Sequence, residues 1–383
     1  MPKITGIQPL GVTIQFHAAR RPWLIFKLLT DEPGLFGLGE ASLNSNDRQV
    51  ISLLEEWVEF YLRGKDPMHH ELHWTRLYQD SNMVRGGALG TTALSGIDIA
   101  LWDLKGKLLN RPVYELLGGP LRPEVRVYAN GWYTGHSSPA EIAGWAKGVV
   151  AKGFDAMKFD PFGTRNYVTI SPAEAQLAED RVAAVREAIG PNHEILVEVH
   201  AKFNVATAIH LGQRLEPYRP FWFEEPVSQE NVSEMAQVRR HVRIPIATGE
   251  RLYTKFPFFE LIKHEAVDVL QPDLCNAGGL TELKKIAAIA ESQHLSMAPH
   301  NTNGPVGTVA SFHLAASMPN FLIQEYHAEF YEPWFFDLLP DQPRRTGNHV
   351  PLPNGPGLGV TLDEAVARAH PLEGRRGWGQ RGI

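Results

Sequence analysis

Short apolar runs alternate with amphipathic stretches along most of this chain, and the alternation is regular. Phe154-Asp155-Ala156-Met157-Lys158, Ile195-Leu196-Val197-Glu198 and Phe221-Trp222-Phe223-Glu224 have the length and composition of buried parallel strands. Residues 244–250, 267–273, 295–300 and 321–325 continue the series, with helical patterns such as 281–293 between them. Two helix starts carry capping boxes, Ser138-Pro139-Ala140-Glu141 and Ser171-Pro172-Ala173-Glu174. Strands alternating with helices predict a parallel sheet, and about eight such units close into a barrel. The front differs: strand patterns at 4–15, 23–30 and 34–40 precede helical patterns at 49–62 and 91–109. That order predicts an α+β cap. The expected fold class is α/β, a TIM-type (β/α) barrel of about seven to eight units over residues 126–350 with an N-terminal α+β capping domain over 1–125. Residues 351–383 are rich in Gly and Pro at their start and read as a wrapping loop.

Chemistry enters with three glutamates. Glu198, Glu224 and Glu250 each close one apolar run, at a constant pitch of 26 residues (198, 224, 250). The pitch is one strand, one helix and their loops, so the carboxylates are expected at equivalent ends of neighbouring strands. Acids side by side at buried strand ends repel unless a cation holds them, and hard oxygen ligands suit Mg²⁺. Three solvated loop acids are the plainer alternative. His300 and Asp273 close two later runs, a pattern that fits a histidine base oriented by a carboxylate. A hydrogen-bonded core histidine and a loop cap are the alternative pair of roles. His200 lies two residues beyond Glu198, so an extended strand points both side chains to one face. There a histidine can protonate a leaving hydroxide, or simply bind substrate.

Composition narrows the class. The chain has 383 residues, well beyond the roughly 250 of a bare barrel, which agrees with an added domain. A net charge of −6 without a basic run argues against nucleic acid and anionic membrane partners. No apolar stretch approaches a membrane span, and the N-terminus lacks a signal peptide's hydrophobic core. The single cysteine, Cys275, excludes an internal disulfide and fits a cytoplasmic, reducing location. It reads as packing. Neither the run at 85–90 nor that at 355–359 matches a nucleotide motif, so no nucleotide cofactor is expected.

Taken together the runs resemble the enolase superfamily, in its mandelate racemase-like branch. The carriers are Met157-Lys158-Phe159-Asp160, Val197-Glu198-Val199-His200, Phe223-Glu224-Glu225-Pro226, Ala247-Thr248-Gly249-Glu250-Arg251, Gln271-Pro272-Asp273 with Gly278-Gly279, Ala298-Pro299-His300 and Ile323-Gln324-Glu325. The resemblance covers nearly the whole length and implies a C-terminal segment, 351–383, that returns to the cap. It implies Mg²⁺ on Glu198, Glu224 and Glu250, with aspartate common in relatives at the first position. Relatives that dehydrate galactonate and gluconate carry a histidine at the place of His200 and a His/Asp dyad opposite. Racemases of the branch usually carry a second lysine where this chain has Asp160.

The reading that follows is Mg²⁺-dependent dehydration of an acid sugar to a 2-keto-3-deoxy acid. A racemase or epimerase sharing the same first step is the alternative, and a metal-binding barrel without activity is a third. Lys158 is expected to hold the substrate carboxylate, or to form an ion pair with Asp160 or a metal ligand. Glu325 is expected to hydrogen-bond the enediolate as a protonated acid, or to pair with a cation. Arg251 and Asn204 are candidate substrate ligands. Residues 15–22, with His17, Arg20 and Arg21, are expected to close over the site, and the aromatic run at 330–336 to line it, pack in the core or form an oligomer contact. A homo-oligomer is expected.

Overall fold

The computed structural model describes residues 1–17, 19–43, 47–80, 85–133, 137–163 and 168–373. Three antiparallel strands open the chain: β1 (Ile4–Phe16), β2 (Ala19–Thr30) and β3 (Phe36–Glu40), in the order β1-β2-β3. Four helices follow: α1 (Asp47–Trp57), α2 (His70–Asp80), α3 (Ala88–Leu109) and α4 (Val113–Leu116). A π-helical turn, Val58–Leu62, extends α1. Helix α3 carries apolar residues all round because it is buried along most of its length, against β3 on one side and a barrel helix on the other. It stops at Asn110, whose φ of +52° is the left-handed conformation that ends helices.

The barrel strands and helices then alternate. They run β4 (Glu124–Ala129), α5 (Pro139–Ala151), β5 (Ala156–Phe159), α6 (Pro172–Ile189), β6 (Glu194–Glu198) and α7 (Val205–Leu215). Next come β7 (Trp222–Glu224), α8 (Val232–His241), β8 (Ile246–Thr248), α9 (Lys255–Lys263), β9 (Val269–Leu270) and α10 (Gly279–Glu291). The series ends with β10 (Ser296–Met297), α11 (Pro305–Ser317) and β11 (Gln324–Tyr326), and the tail adds β12 (His349–Pro351) and α12 (Glu364–Ala369). Both expected capping boxes form, at Ser138 before α5 and Ser171 before α6. Each satisfies two otherwise orphaned backbone donors.

Parallel pairing runs β10-β9-β8-β7-β6-β5-β4-β11. The ring closes where Leu322 N–H donates to the Met297 carbonyl at 2.8 Å and Met297 N–H donates to that of Asn320 at 2.9 Å. This is a (β/α) barrel under an α+β cap. β12 adds an antiparallel flank to β4. The tail reaches the cap, with Pro371 bridging Val12 and Glu364 pairing with Lys27. Residues 374–383 of the expected C-terminal segment lie outside the described residues.

Strand alternation builds the barrel interior in tiers. One buried tier takes a side chain from each strand or its immediate extension: Tyr128, Ala156, Leu196, Trp222, Ala247, Val269, Ala298 and Ile323. Side chains two residues further on face the same way and form the next tier. That tier holds Asn130, Lys158, Glu198, Glu224, Gln271, His300 and Glu325. Apolar residues thus floor a polar layer at the carboxyl ends of the strands, where barrel sites lie.

Candidate active site

β8 departs from the tier rule. Alternation puts Gly249 in the inward position, but its φ of +143° turns the chain and the carboxylate comes from Glu250 instead. A Cβ at Gly249 would lie 2.7 Å from Phe258 and 3.0 Å from the Gln271 backbone, so glycine is required by space as well as by conformation. The turn completes the triad. One oxygen from each of Glu198, Glu224 and Glu250 lies within 4.8 Å of the others.

Two of the three carboxylates are held back from ionising. Burial pushes Glu224 well above the usual carboxylate range and Glu198 adds to the shift. Glu198 itself is raised, again chiefly by burial. Its Oε2 atom is buried without a hydrogen-bond partner, with Lys158 Nζ 3.5 Å away. Convergent oxygen donors and an orphaned buried carboxylate oxygen fit a hard divalent cation.

Lys158 sits beside the triad, buried, 2.5 Å from Glu224 Oε1 and 3.0 Å from Glu325 Oε1. Burial alone would favour its neutral form, yet Glu224 and Glu325 hold the ammonium charged. The ion pair with a triad member, one of the contacts expected for Lys158, forms. The pair with Asp160 does not form.

His300 stands on the far side of the ring from β6. Its Nδ1 lies 2.7 Å from Asp273 Oδ2, and its Nε2 faces Glu250 Oε2 at 3.4 Å. Asp273 is fixed in turn by Cys275 N–H at 2.8 Å and by Asn303 Nδ2 at 3.1 and 3.2 Å. Burial lowers the affinity of the ring for a proton, but Glu250 and Glu325 outweigh it and push the pKa up to about 10. Glu250 moves oppositely: burial raises it, while Arg251 and His300 bring it down to about 2.

A second histidine–aspartate pair faces the first. His200 Nδ1 lies 2.8 Å from Asp160 Oδ2, and Asp160 Oδ1 accepts the Phe162 N–H at 2.9 Å. Lys202 also pairs with Asp160. Burial works against ionised Asp160, but His200 and Lys202 keep its pKa below the usual value. The extended strand expected at His200 is corrected here. β6 ends at Glu198, and His200 and Ala201 take left-handed φ values of +57° and +55°. The turn is held where His200 N–H donates to Glu198 Oε1 at 2.6 Å. Left-handed backbone at consecutive non-glycine residues is strained, and such strain gathers at functional sites. The imidazole still reaches the mouth, partly exposed.

Glu325 pairs with Lys158 at 3.0 Å, the cation pairing expected as one of its two roles. It accepts from Asn130 Nδ2 at 2.6 Å and from Asn301 N–H at 2.7 Å. Although burial favours the acid, Lys158 and His300 hold it ionised, well below the usual range. Asn204 is exposed at the start of α7, and its side-chain oxygen caps the helix by accepting Thr207 N–H at 2.9 Å. Its amide serves the helix end. Arg251 pairs with both Glu250 and Glu225 and keeps a third of its side chain exposed. The hairpin tip of β1 and β2 meets the mouth, where His17 Nε2 lies 2.9 Å from the Gly131 carbonyl and Tyr331 packs between Phe16 and Trp23. Ala18 of that tip lies outside the described residues.

Reasoning from the sequence missed Asn130, Asn303 and the partnership of Asp160 with His200. The period-2 rule could have found Asn130, two residues beyond the inward Tyr128. Asn303 sits in a loop, where no period points to it.

A barrel with three carboxylates at consecutive strand ends and a His–Asp pair opposite defines a member of the enolase superfamily. Comparison with known proteins agrees. Residues 141–366 match the family described as enolase C-terminal domain-like, and residues 5–118 match the mandelate racemase / muconate lactonizing enzyme N-terminal domain. The chain belongs to the mandelate racemase/muconate lactonizing enzyme family. It is 38% identical to the D-gluconate dehydratase of Thermoproteus tenax over 97% of this chain and 76% of that one. It is 37% identical to the D-galactonate dehydratase of Ralstonia pickettii over 90% of each, and 36% identical to the D-xylonate dehydratase of Haloferax volcanii over 92% and 86%. Among solved structures, the mandelate racemase/muconate lactonizing enzyme from Sulfitobacter sp. superposes with a TM-score of 0.90 at 35% identity, covering 99% of this chain and 97% of that one.

Proposed function

We propose that this protein is a hydro-lyase that dehydrates an acid sugar, an aldonate such as gluconate or galactonate, to a 2-keto-3-deoxy acid with Mg²⁺ as cofactor. One observation carries the reading: two histidines, each backed by an aspartate, stand at the ends of β6 and β10, four strands apart in a ring of eight, with the glutamate triad beginning at β6. Dehydration needs a base and an acid, and the site offers one candidate for each. The dehydratase relatives support the same chemistry.

Glu198, Glu224 and Glu250 would hold the ion. Bound there, Mg²⁺ would supply positive charge to the substrate carboxylate, whose α-proton is otherwise very weakly acidic. His300, its Nδ1 held by Asp273, would take the α-proton at Nε2 in its neutral form, reached once a bound cation offsets the Glu250 charge that otherwise keeps the ring protonated. His200, its Nδ1 held by Asp160, donates a proton from Nε2 to the β-hydroxyl as the C–O bond breaks. The electron pair of the C–H bond becomes the new C–C double bond, and that of the C–O bond leaves with the oxygen as water. The resulting enol takes a proton at C3 and becomes the ketone. Lys158 keeps Glu325 ionised, so Glu325 acts by orienting Asn130 and the Asn301 backbone at the site.

The chain contains no helix long and apolar enough to cross a membrane among the described residues. A cytoplasmic homo-oligomer agrees with the reading, and Phe256 and Phe259, half exposed on α9, are candidates for its contact. The test is a screen of purified protein with Mg²⁺ against aldonates and sugar diacids, with semicarbazide detecting the 2-keto product. Mg²⁺-dependent product that disappears in His300→Asn supports the reading. Exchange of the α-proton with D₂O but no loss of water points to an epimerase. No exchange and no product with any acid sugar would sink the proposal.

A further inference from the structure

Asp273 orients His300, and what orients Asp273 leads out of the barrel. Asn303 Nδ2 donates to both Asp273 oxygens, at 3.1 and 3.2 Å, and Asn303 is itself buried. The next residue, Gly304, caps the start of α11, and its N–H donates to Glu40 Oε1 at 2.5 Å. Gly307 N–H donates to Glu40 Oε2 at 2.8 Å, and Ser42 Oγ donates to Oε1 at 2.8 Å. Glu40 ends β3 of the cap and is fully buried. A second cap residue grips the same loop, with Trp23 Nε1 donating to the Thr302 carbonyl at 3.2 Å. The fit is close: a Cβ at Gly304 would lie 3.0 Å from both Glu40 oxygens.

We propose that Glu40 is a positioning residue for the His300–Asp273 pair, acting across the domain boundary through Asn303. A buried carboxylate with three donors fixes the α11 cap and its first turn, and Asn303 is the residue immediately before that cap. The orientation of the base is thereby set by a domain that supplies neither ligand nor base. Partners of this outer kind typically change activity by 10- to 100-fold when removed. The inference rests on the proposed reaction for its kinetic readout only.

The experiment compares Glu40→Gln, Asn303→Leu, the double variant and Gly304→Ala. The readouts are the rate of α-proton exchange in D₂O with Mg²⁺, the thermal midpoint, and the downfield Nδ1 proton resonance of His300, assigned by its loss in His300→Asn. Glu40→Gln is expected to lower kcat for exchange about 10- to 100-fold with KM changed less than about twofold. The double variant is expected to be no slower than Asn303→Leu, because residues acting along one path are not additive. Gly304→Ala is expected to resemble Glu40→Gln, and the resonance to move in all three single variants. Additive losses in the double variant overturn the proposal. So does a Glu40→Gln protein with a lowered thermal midpoint but wild-type kcat and an unmoved resonance. If wild-type protein exchanges no α-proton of any acid sugar, the reaction is wrong, and the resonance still decides the role of Glu40.

Discussion

His300 and His200 are chemically alike and differ in what stands behind and beside them. His300 packs against Glu250 and Glu325, whereas His200 opens further to the mouth from a strained turn. His300→Asn should abolish α-proton exchange, by about 10²- to 10⁴-fold, while Mg²⁺ still raises the thermal midpoint. His200→Asn should keep exchange and lose dehydration. Asp160→Asn should follow His200→Asn in this split, because Asp160 holds the His200 ring. Normal dehydration by His200→Asn would remove it as the acid. The triad and the His300–Asp273 pair are legible in the sequence because each ends an apolar run. The ionised state of Glu325 is not, since it depends on Lys158, which arrives from the other end of the barrel repeat. Nor is the turn at His200, which the alternation of β6 gives no reason to expect.

Helix ends and strand lengths carry a different lesson. The two capping boxes are local, four-residue events, so the sequence states them fully. Removing one by Ser171→Ala should destabilise the protein by about 1 kcal/mol, seen as a lower thermal midpoint with unchanged kcat. The helix expected over 49–62 instead gives way to a π-turn at Val58. β9 and β10 are two residues each, far shorter than their apolar runs, because the remaining residues leave the ladder to form the site. β12 was missed altogether. It pairs with β4 across more than two hundred residues, and three residues carry no periodic signal.

Cap, barrel and tail share a buried seam at His313. Its Nδ1 accepts the Tyr114 N–H at 3.2 Å from α4, and its Nε2 donates to the Leu358 carbonyl at 3.0 Å in the tail. Burial pushes its pKa down from 6.5 to about 4, so the folded ring is neutral. The unfolded chain takes up a proton first as pH falls, so this stability is present above pH 6.5 and is lost down to about pH 4. The loss from this one group is about 3 kcal/mol. Thermal midpoints measured from pH 7 to pH 4 should fall less steeply in His313→Gln. A divalent ion bound only to the folded protein should stabilise it by about 2.7 kcal/mol at a hundredfold excess over its Kd. Scans with Mg²⁺ and with chelator should show that shift in wild type, and a much smaller one in Glu224→Gln. The barrel itself was legible because its unit repeats. The seams between its parts were not, because they join residues far apart in sequence that share no pattern.

The apolar tier beneath the site also governs traffic. Eight side chains, seven of them fully buried, fill the barrel interior just below the glutamates. Under the proposed reaction, substrate reaches His300 from the cap side, and the keto acid leaves by that same doorway. Product and incoming sugar therefore contend for one vestibule. Initial-rate measurements should show the keto acid inhibiting competitively against the sugar, with no mixed component.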